Sequence, residues 1–390
     1  MKKNYKQYST IPAIVPNTKF FKSIDIDLLK HLFSLQTPSL IDASQKIFFN
    51  FILNWCKENN ISVKHSYDTY GNLYITKGKA SLYPCVVSHV DTVHDYNPHL
   101  QILNTNDLVF GLDISEGTQH GIGADPKNGV YFALQMLKHL DVVKVVLFKN
   151  EEVGCLGSKA SDITFFKNCS FVIQLDRRSF TTDLIEYTNG INVISEEFKT
   201  AVKPIMSDYG YEFNHGTCTD VGELVWNEIN ICAFNFSNGS FNEHKNYEVC
   251  SIPHLLNAVN AGYEIIQKLG YTKQFIHKPD TYKATSSKFS LDGWDSELVL
   301  TTKVNNKEVK DFVDSWLISD PDSFAHTPYS EEHLAGLYEY YTGKICDELA
   351  VLKAISSYLS KKPHAQIQLL KKDTDNFIKR LEKHEYEQWY

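Results

Sequence analysis

Four short apolar runs limit what this chain can fold into. Pro84–Val87, Val142–Phe148, Ser170–Leu175 and Ile231–Phe236 carry one charged residue between them, Lys144. Runs of this length, bounded by turn residues, read as strands buried on both faces. Between them lie stretches whose apolar residues recur at helical spacing. Strands alternating with helices imply an α/β fold with a mixed, mostly parallel central sheet and helices on both faces. In such sheets ligands bind at the carboxyl ends of the strands. At that edge this sequence places ionisable residues again and again: His89 and Asp91, then Glu151 and Glu152, then Asp176, then Glu243 and His244.

The rest of the chain fits around these runs. Residues 1–22 read as an irregular lead-in. Asp25–Leu35 has helical spacing. A second helix starts near Ser39–Ser44 and runs to about Lys57, with Ile47, Phe48, Phe51, Ile52 and Trp55 on one stripe. Short strands around Ile61–Lys64 and Leu73–Lys77 flank the turn Asp68–Asn72. After His89, a loop with Gly111, Gly117, Gly121 and Gly123 leads to Asp125-Pro126 and a helix to about Leu140. Asp183–Thr188 reads as a strand and Glu196–Met206 as a helix. His215–Asp220 reads as a loop before a short helix, and Ile252–Leu269 as a long amphipathic helix. Residues 271–330 are polar, with strands expected near Glu297–Val304. From Ser330 onward the pattern is helical and charged. The expected division is a main domain over 1–275 and a mainly helical C-terminal appendage over 290–390.

Composition removes some function classes. The chain has 390 residues and a net charge of -8, with scattered lysines and only Arg177, Arg178 and Arg380 as arginines. Nucleic acid is therefore not an expected partner. No stretch approaches the roughly 18 apolar residues of a membrane helix, and no signal peptide is evident. The eight cysteines form no CxxC pair, so a reducing, cytoplasmic setting is expected.

Taken singly, the ionisable residues are ambiguous. A ligating imidazole needs its second nitrogen held by an acceptor, and Asp91 stands two residues from His89; yet a lone His-x-Asp is more often structural or solvated. Asp125 before a proline is a good helix N-cap, and a cap carboxylate can also be a ligand. Glu151-Glu152 reads as a solvated first turn or as a split pair, one ligating and one holding a proton. Asp176 beside Arg177 and Arg178 reads as an ion pair or a ligand.

Together they are more specific. Ser88-His89-Val90-Asp91-Thr92-Val93, Gly123-Ala124-Asp125-Pro126-Lys127-Asn128-Gly129, Glu151-Glu152-Val153-Gly154, Asp176, and Gly239-Ser240-Phe241-Asn242-Glu243-His244 with Glu248 occur in that order. In this the chain resembles the co-catalytic zinc exopeptidases and amidohydrolases that include peptidase T, glutamate carboxypeptidase and acetylornithine deacetylase. The resemblance covers about residues 24–270. It implies two Zn2+ per chain, with Co2+ or Mn2+ as substitutes. His89 and Asp176 would hold one ion, Glu152 and His244 the other, and Asp125 would bridge them. Asp91 would orient His89, and Glu151 would be the general base. A cis peptide is expected between Asp125 and Pro126, since cis is costly except before proline.

Two departures stand out. Relatives such as peptidase T insert a lid or dimerisation domain between the fourth and fifth ligands, for which Arg177–Glu243 leaves little room. The chain is thus expected to be a lidless variant similar to zinc aminopeptidases. Residues 290–390 match nothing in the resemblance; they are expected to be a solvated appendage or the contact of a homo-oligomer. Aspartate at 176, rather than glutamate, goes with aminopeptidases in these families. Arg177 and Arg178 are candidates for gripping a substrate carboxylate, and His215 for donating to a developing oxyanion. The expected substrate is a short peptide cleaved at its amino end. An N-acyl amino acid, handled by a deacylase or carboxypeptidase, is the alternative. A catalytically silent metal-binding or assembly protein is a third reading.

Overall fold

In the computed structural model the described residues are 11–179, 183–188, 191–216 and 219–279, with 307, 309, 310, 353–355 and 357 beyond them. Helices α1 (Ile26–Ser34) and α2 (Asp42–Glu58) come first. They are followed by strands β1 (Val63–Tyr67), β2 (Leu73–Lys77) and β3 (Tyr83–His89). Next come β4 (Leu100–Asn104), β5 (Leu108–Asp113) and β6 (Thr118–His120), then α3 (Ala124–His139), β7 (Val143–Phe148) and the short α4 (Leu156–Lys159). The second half runs β8 (Cys169–Arg177), β9 (Asp183–Thr188), β10 (Ile191–Asn192), α5 (Glu196–Asp208), β11 (Glu212–Gly216) and α6 (Asp220–Trp226). It closes with β12 (Ala233–Ser237), β13 (Ser240–Phe241), β14 (Val249–Ser251) and α7 (Ile252–Leu269).

The four apolar runs form the parallel middle of the large sheet. Its order is β1-β2-β7-β3-β8-β12-β9-β10, with β11 paired to β9. β7, β3, β8 and β12 are mutually parallel, so their carboxyl ends share one edge; the antiparallel strands lie towards the sides. Every residue of β3 and β7 is buried. Val87 and Gln174 are register partners and share a face. That face meets α6, since Gln174 bonds to Asp220. Ser88 points the other way, to the start of α3. Helices thus cover both faces, with α1, α3 and α7 together on one and α4 and α6 on the other.

Local chemistry explains the helix starts. The Asp25 carboxylate caps α1 by accepting from the Leu28 N–H at 3.1 Å. Ser195 caps α5 through the Phe198 N–H. In α2 the buried face is Gln45, Phe48, Phe49, Ile52, Trp55 and Cys56. This corrects the expected stripe: Ile47 is 61% exposed.

The region expected to be a glycine loop is a second sheet. β13, β14, β5 and β4 pair antiparallel in that order, with β6 beside β5. Between β6 and α3 runs Gly121–Gly123, and between β13 and β14 runs Asn242–Glu248, so this sheet holds two of the loops that build the site. The strand expected at Ile61–Lys64 lies at Val63–Tyr67, and His215 belongs to β11 rather than to a loop.

The chain divides into two compact units, Met1–Lys283 and Ala284–Tyr390. In the second, the few described residues are helical. The strands expected near Glu297–Val304 lie outside the described residues.

Candidate metal centre

Four strand ends and one helix start converge. His89 ends β3, Glu151 and Glu152 follow β7, and Asp176 lies at the end of β8. His244 follows β13. Asp125 has a non-helical backbone (φ -85, ψ 108) at the second residue of α3, whose N-cap is Gly123, and the Asp125–Pro126 peptide is cis.

The donor atoms meet. His89 Nε2 is 3.0 Å from Asp176 Oδ1 and 3.4 Å from Asp125 Oδ1. The other Asp125 oxygen, Oδ2, is 3.4 Å from His244 Nε2, which is 3.0 Å from Glu152 Oε2. Glu151 Oε2 is 3.8 Å from His89 Nε2. Two donor groups result, His89 with Glu151 and Asp176, and His89 with Asp125 and Glu152, each within 4.8 Å.

Asp91 organises this cluster from behind. Its Oδ1 is 3.5 Å from His89 Nδ1 and accepts from the Glu151 N–H at 2.9 Å. Its Oδ2 accepts from the Glu152 N–H and the Ser39 hydroxyl. The Asp91 carboxylate therefore fixes the backbone of both glutamates, and its backbone carbonyl, 3.2 Å from His89 Nδ1, holds the imidazole. Burial opposes its charge, but His89, Ser39 and the Glu151 amide outweigh burial and hold Asp91 below the usual carboxylate range.

Two further groups position the site: Asn150, which the sequence reading did not single out, and Glu248, which it named without a role. Asn150 adopts a left-handed backbone (φ 58) just before Glu151. Its Oδ1 accepts from the Leu40 N–H and from Gln45 Nε2. An asparagine between a strand and paired glutamates is a usable signal, since Asn tolerates that conformation. Glu248 accepts from the N–H groups of Ile122, Gly123 and Asp125 and lies 2.9 Å from His94 Nε2. It thereby ties the His244 loop to the turn that carries Asp125.

The charges are crowded. Burial pushes Glu151 well above the ordinary glutamate range against the pull of His89, and repulsion from Asp176 adds to it. Burial and then Asp125 raise Glu152 to about 7, and the same two causes raise Asp176. His244 is pushed up to about 11 by its bonds to Asp125 and Glu152. Burial works against charge on His89, but Asp176 and Glu151 outweigh it. The carboxylates repel one another, and Asp125 Oδ1 and Glu152 Oε1 are buried without a hydrogen-bond partner among the described residues. Divalent cations would relieve both conditions, and a mixed imidazole and carboxylate set suits zinc. The residues present therefore fit a pair of divalent metals.

The cluster opens into a cavity of about 410 Å3. Arg177, Arg178, Glu243 and Lys245 line it, with Ile185, Gly216, Thr219 and Asn235. Arg177 Nη2 lies 3.5 Å from Asp183 Oδ2, and Arg178 Nη1 lies 3.5 Å from Glu243 Oε1. Lys245 had not been singled out from sequence. His215 is not on the lining; its ring packs on Tyr187 at 5.3 Å.

No protein-family model matches this sequence, and no curated protein matches it. Solved structures do. Aminopeptidase PepT from Bacillus cereus ATCC 10987 superposes with a TM-score of 0.51 at 12% identity, over 63% of this chain and 97% of that one. An aminopeptidase from the archaeon Desulfurococcus kamchatkensis gives 0.50 at 16% identity, over 63% of this chain and 95% of that one. At such identities the likeness is one of fold. The chain shares its fold with these two aminopeptidase structures, and its two donor groups lie at the carboxyl edge of the large sheet.

Proposed function

We propose that this chain is a metal-dependent peptidase that removes the amino-terminal residue of short peptides. We further propose that His89, Asp125, Glu152, Asp176 and His244 hold two zinc ions. The observation that carries this reading is Asp125, whose two oxygens each lie 3.4 Å from a different imidazole, the posture of a carboxylate shared by two metals. When bound, such ions acidify a water and polarise a scissile carbonyl. The side chains do the rest. Glu151 takes the water's proton and returns it to the leaving amine. Asp91 keeps Glu151 and His89 in register with one another. The two superposed proteins named above are aminopeptidases, which supports cleavage at the amino end.

The region 1–275 is proposed as the catalytic part, without a lid between Asp176 and His244. The described residues there are taken up by β9 to β13 and helices α5 and α6. One observation favours a second reading. Arg178 is half exposed on the cavity wall, with Lys245 on the same lining. Such a wall suits a free substrate carboxylate, as an N-acyl amino acid or the carboxyl end of a peptide would present.

The test is mass spectrometry of peptide pools incubated with zinc- or cobalt-loaded protein, the pools being free, amino-blocked or carboxyl-blocked. Cleavage lost only on amino blocking is the expected result. Cleavage that survives amino blocking and fails on carboxyl blocking would favour the second reading. No cleavage of any pool by protein shown to carry metal would support a silent metal-binding protein instead.

A further inference from the structure

Asp176 offers the metal cluster one oxygen and keeps the other in a closed circuit of buried side chains. Oδ1 faces His89 at 3.0 Å. Oδ2 accepts from Gln174 Nε2 at 3.3 Å and from Asn235 Nδ2 at 3.4 Å. The second Asn235 amide hydrogen goes to Thr219 Oγ1 at 3.1 Å, and Asn235 Oδ1 accepts the Asp176 N–H at 2.9 Å. Thr219 in turn donates to Gln174 Oε1 at 3.1 Å. The second Gln174 amide hydrogen goes to Asp220 Oδ2 at 3.0 Å. Both amides thus have their hydrogens and their oxygen placed, and neither can be reversed without setting like groups against each other.

The circuit's end is the informative part. Gln174 and Asp220 are fully buried, and Thr219 and Asn235 nearly so. Asp220 Oδ1 has no hydrogen-bond partner among the described residues. A buried carboxylate with an oxygen left unanswered costs stability; Gln174 and Ser158 are the hydrogen-bonding side chains beside it. An ionised carboxylate only accepts. Asp220 therefore compels Gln174 to turn its NH2 inward, and the same NH2 then reaches Asp176.

We propose that Gln174 and Asn235 are positioning residues that restrict Asp176 to one-oxygen ligation, with Asp220 and Thr219 fixing their sense. The device selects a small cation of low coordination number, such as zinc or cobalt(II), over calcium, which collects roughly six to eight oxygens and often takes both from one carboxylate. This rests on the two-metal reading above.

The test uses the full chain as wild type, Gln174→Met and Asp220→Asn. Each is stripped of metal and titrated with Co2+ against a chromophoric chelator, and its visible spectrum is recorded with and without excess Ca2+. Gln174→Met keeps the volume and removes both donors; Asp220→Asn keeps the shape and removes the compulsory direction. In Gln174→Met, one of the two cobalt sites is expected to weaken about 10- to 100-fold while the other holds. Its cobalt absorption should fall as coordination number rises, and calcium should compete at the weakened site only. Asp220→Asn should show a smaller change of the same kind. Wild-type affinities and spectra in a folded Gln174→Met overturn the proposal. Should that variant fail to fold, an unchanged Asp220→Asn overturns it equally. A wild type that binds no cobalt overturns the two-metal reading and this proposal with it, an outcome distinct from loss in the variants alone.

Discussion

Asp91 and Glu151 show how differently two carboxylates behave a few ångströms apart. Asp91 is fully buried and its oxygens are committed to Ser39, to two backbone N–H groups and to the neighbourhood of His89. Glu151 receives the Cys155 thiol at 3.4 Å and otherwise faces the cavity. Removing the first should loosen the site; removing the second should stop the chemistry. In Asp91→Ala the freed glutamate backbone, with the charge beside His89 removed, should lower metal affinity by about 10- to 100-fold. Glu151→Gln should retain two metals per chain and lose about 10^2- to 10^4-fold in kcat/KM. Metal content by atomic emission, read beside the kinetics, separates the two. A Glu151→Gln protein that lost its metals would make Glu151 a ligand rather than a base. An Asp91→Ala protein with wild-type affinity would leave the hydrogen bonds to Glu151 and Glu152 without a part in holding the site.

At the scale of elements, the site depends on how closely α3 lies on the sheet. Gly129 is the contact: a Cβ there would sit 2.4 Å from the Leu175 carbonyl oxygen and 2.8 Å from Ser88 Oγ. Leu175 adjoins Asp176, and Gly129 lies one turn after Asp125, so this contact sets the gap between two candidate ligands. Gly129→Ala should destabilise the fold by about 1–3 kcal/mol through overpacking, as read from urea denaturation, and should weaken metal binding as well. A neutral effect on both would mean that the helix shifts freely. The strands and helices around this contact were legible because each is long and buried with a single period. The second sheet was not, because β4 and β6 are short with no buried residue, and Gly111, Gly117, Gly121 and Gly123 in and around β5 and β6 suggest a loop. The α2 stripe went astray because apolar residues stand at 47, 48, 49, 51 and 52, so spacing alone does not choose a face. The five positions proposed as donors stand out in sequence because each lies near a strand end or a helix start. Gln174, Asn235 and Asp220 were not. Their meaning comes from partners 46 and 59 positions away, which no local pattern encodes.

Across the whole described fold, the lead-in that reads as irregular in sequence is strapped to α7. Asn17 donates its N–H to Asn257 Oδ1, and Phe20 and Phe21 donate theirs to Asn260 Oδ1. Lys19 Nζ reaches Glu264 Oε1 at 2.7 Å. Glu264 also takes Lys268 at 2.6 Å and the Tyr209 hydroxyl at 2.7 Å, so one buried carboxylate joins the lead-in, α7 and the end of α5. Burial opposes the charge, but Lys19, Lys268 and Tyr209 outweigh it and draw Glu264 down to about 2. The folded value is thus below the unfolded one, near 4.3 for an ordinary glutamate. The stability that ionised Glu264 contributes is complete above about pH 4.3 and is lost as the pH falls from there towards 2. In Glu264→Gln the three partners lose a charged acceptor. The variant should be about 2 kcal/mol less stable at neutral pH, and its stability should decline less steeply than the wild type's between pH 4.5 and 2. Denaturant midpoints measured at several pH values give both quantities. Parallel declines in the two proteins would show that the carboxylate does not hold the strap, whereas convergence at low pH would show that protonating Glu264 and replacing it have the same effect.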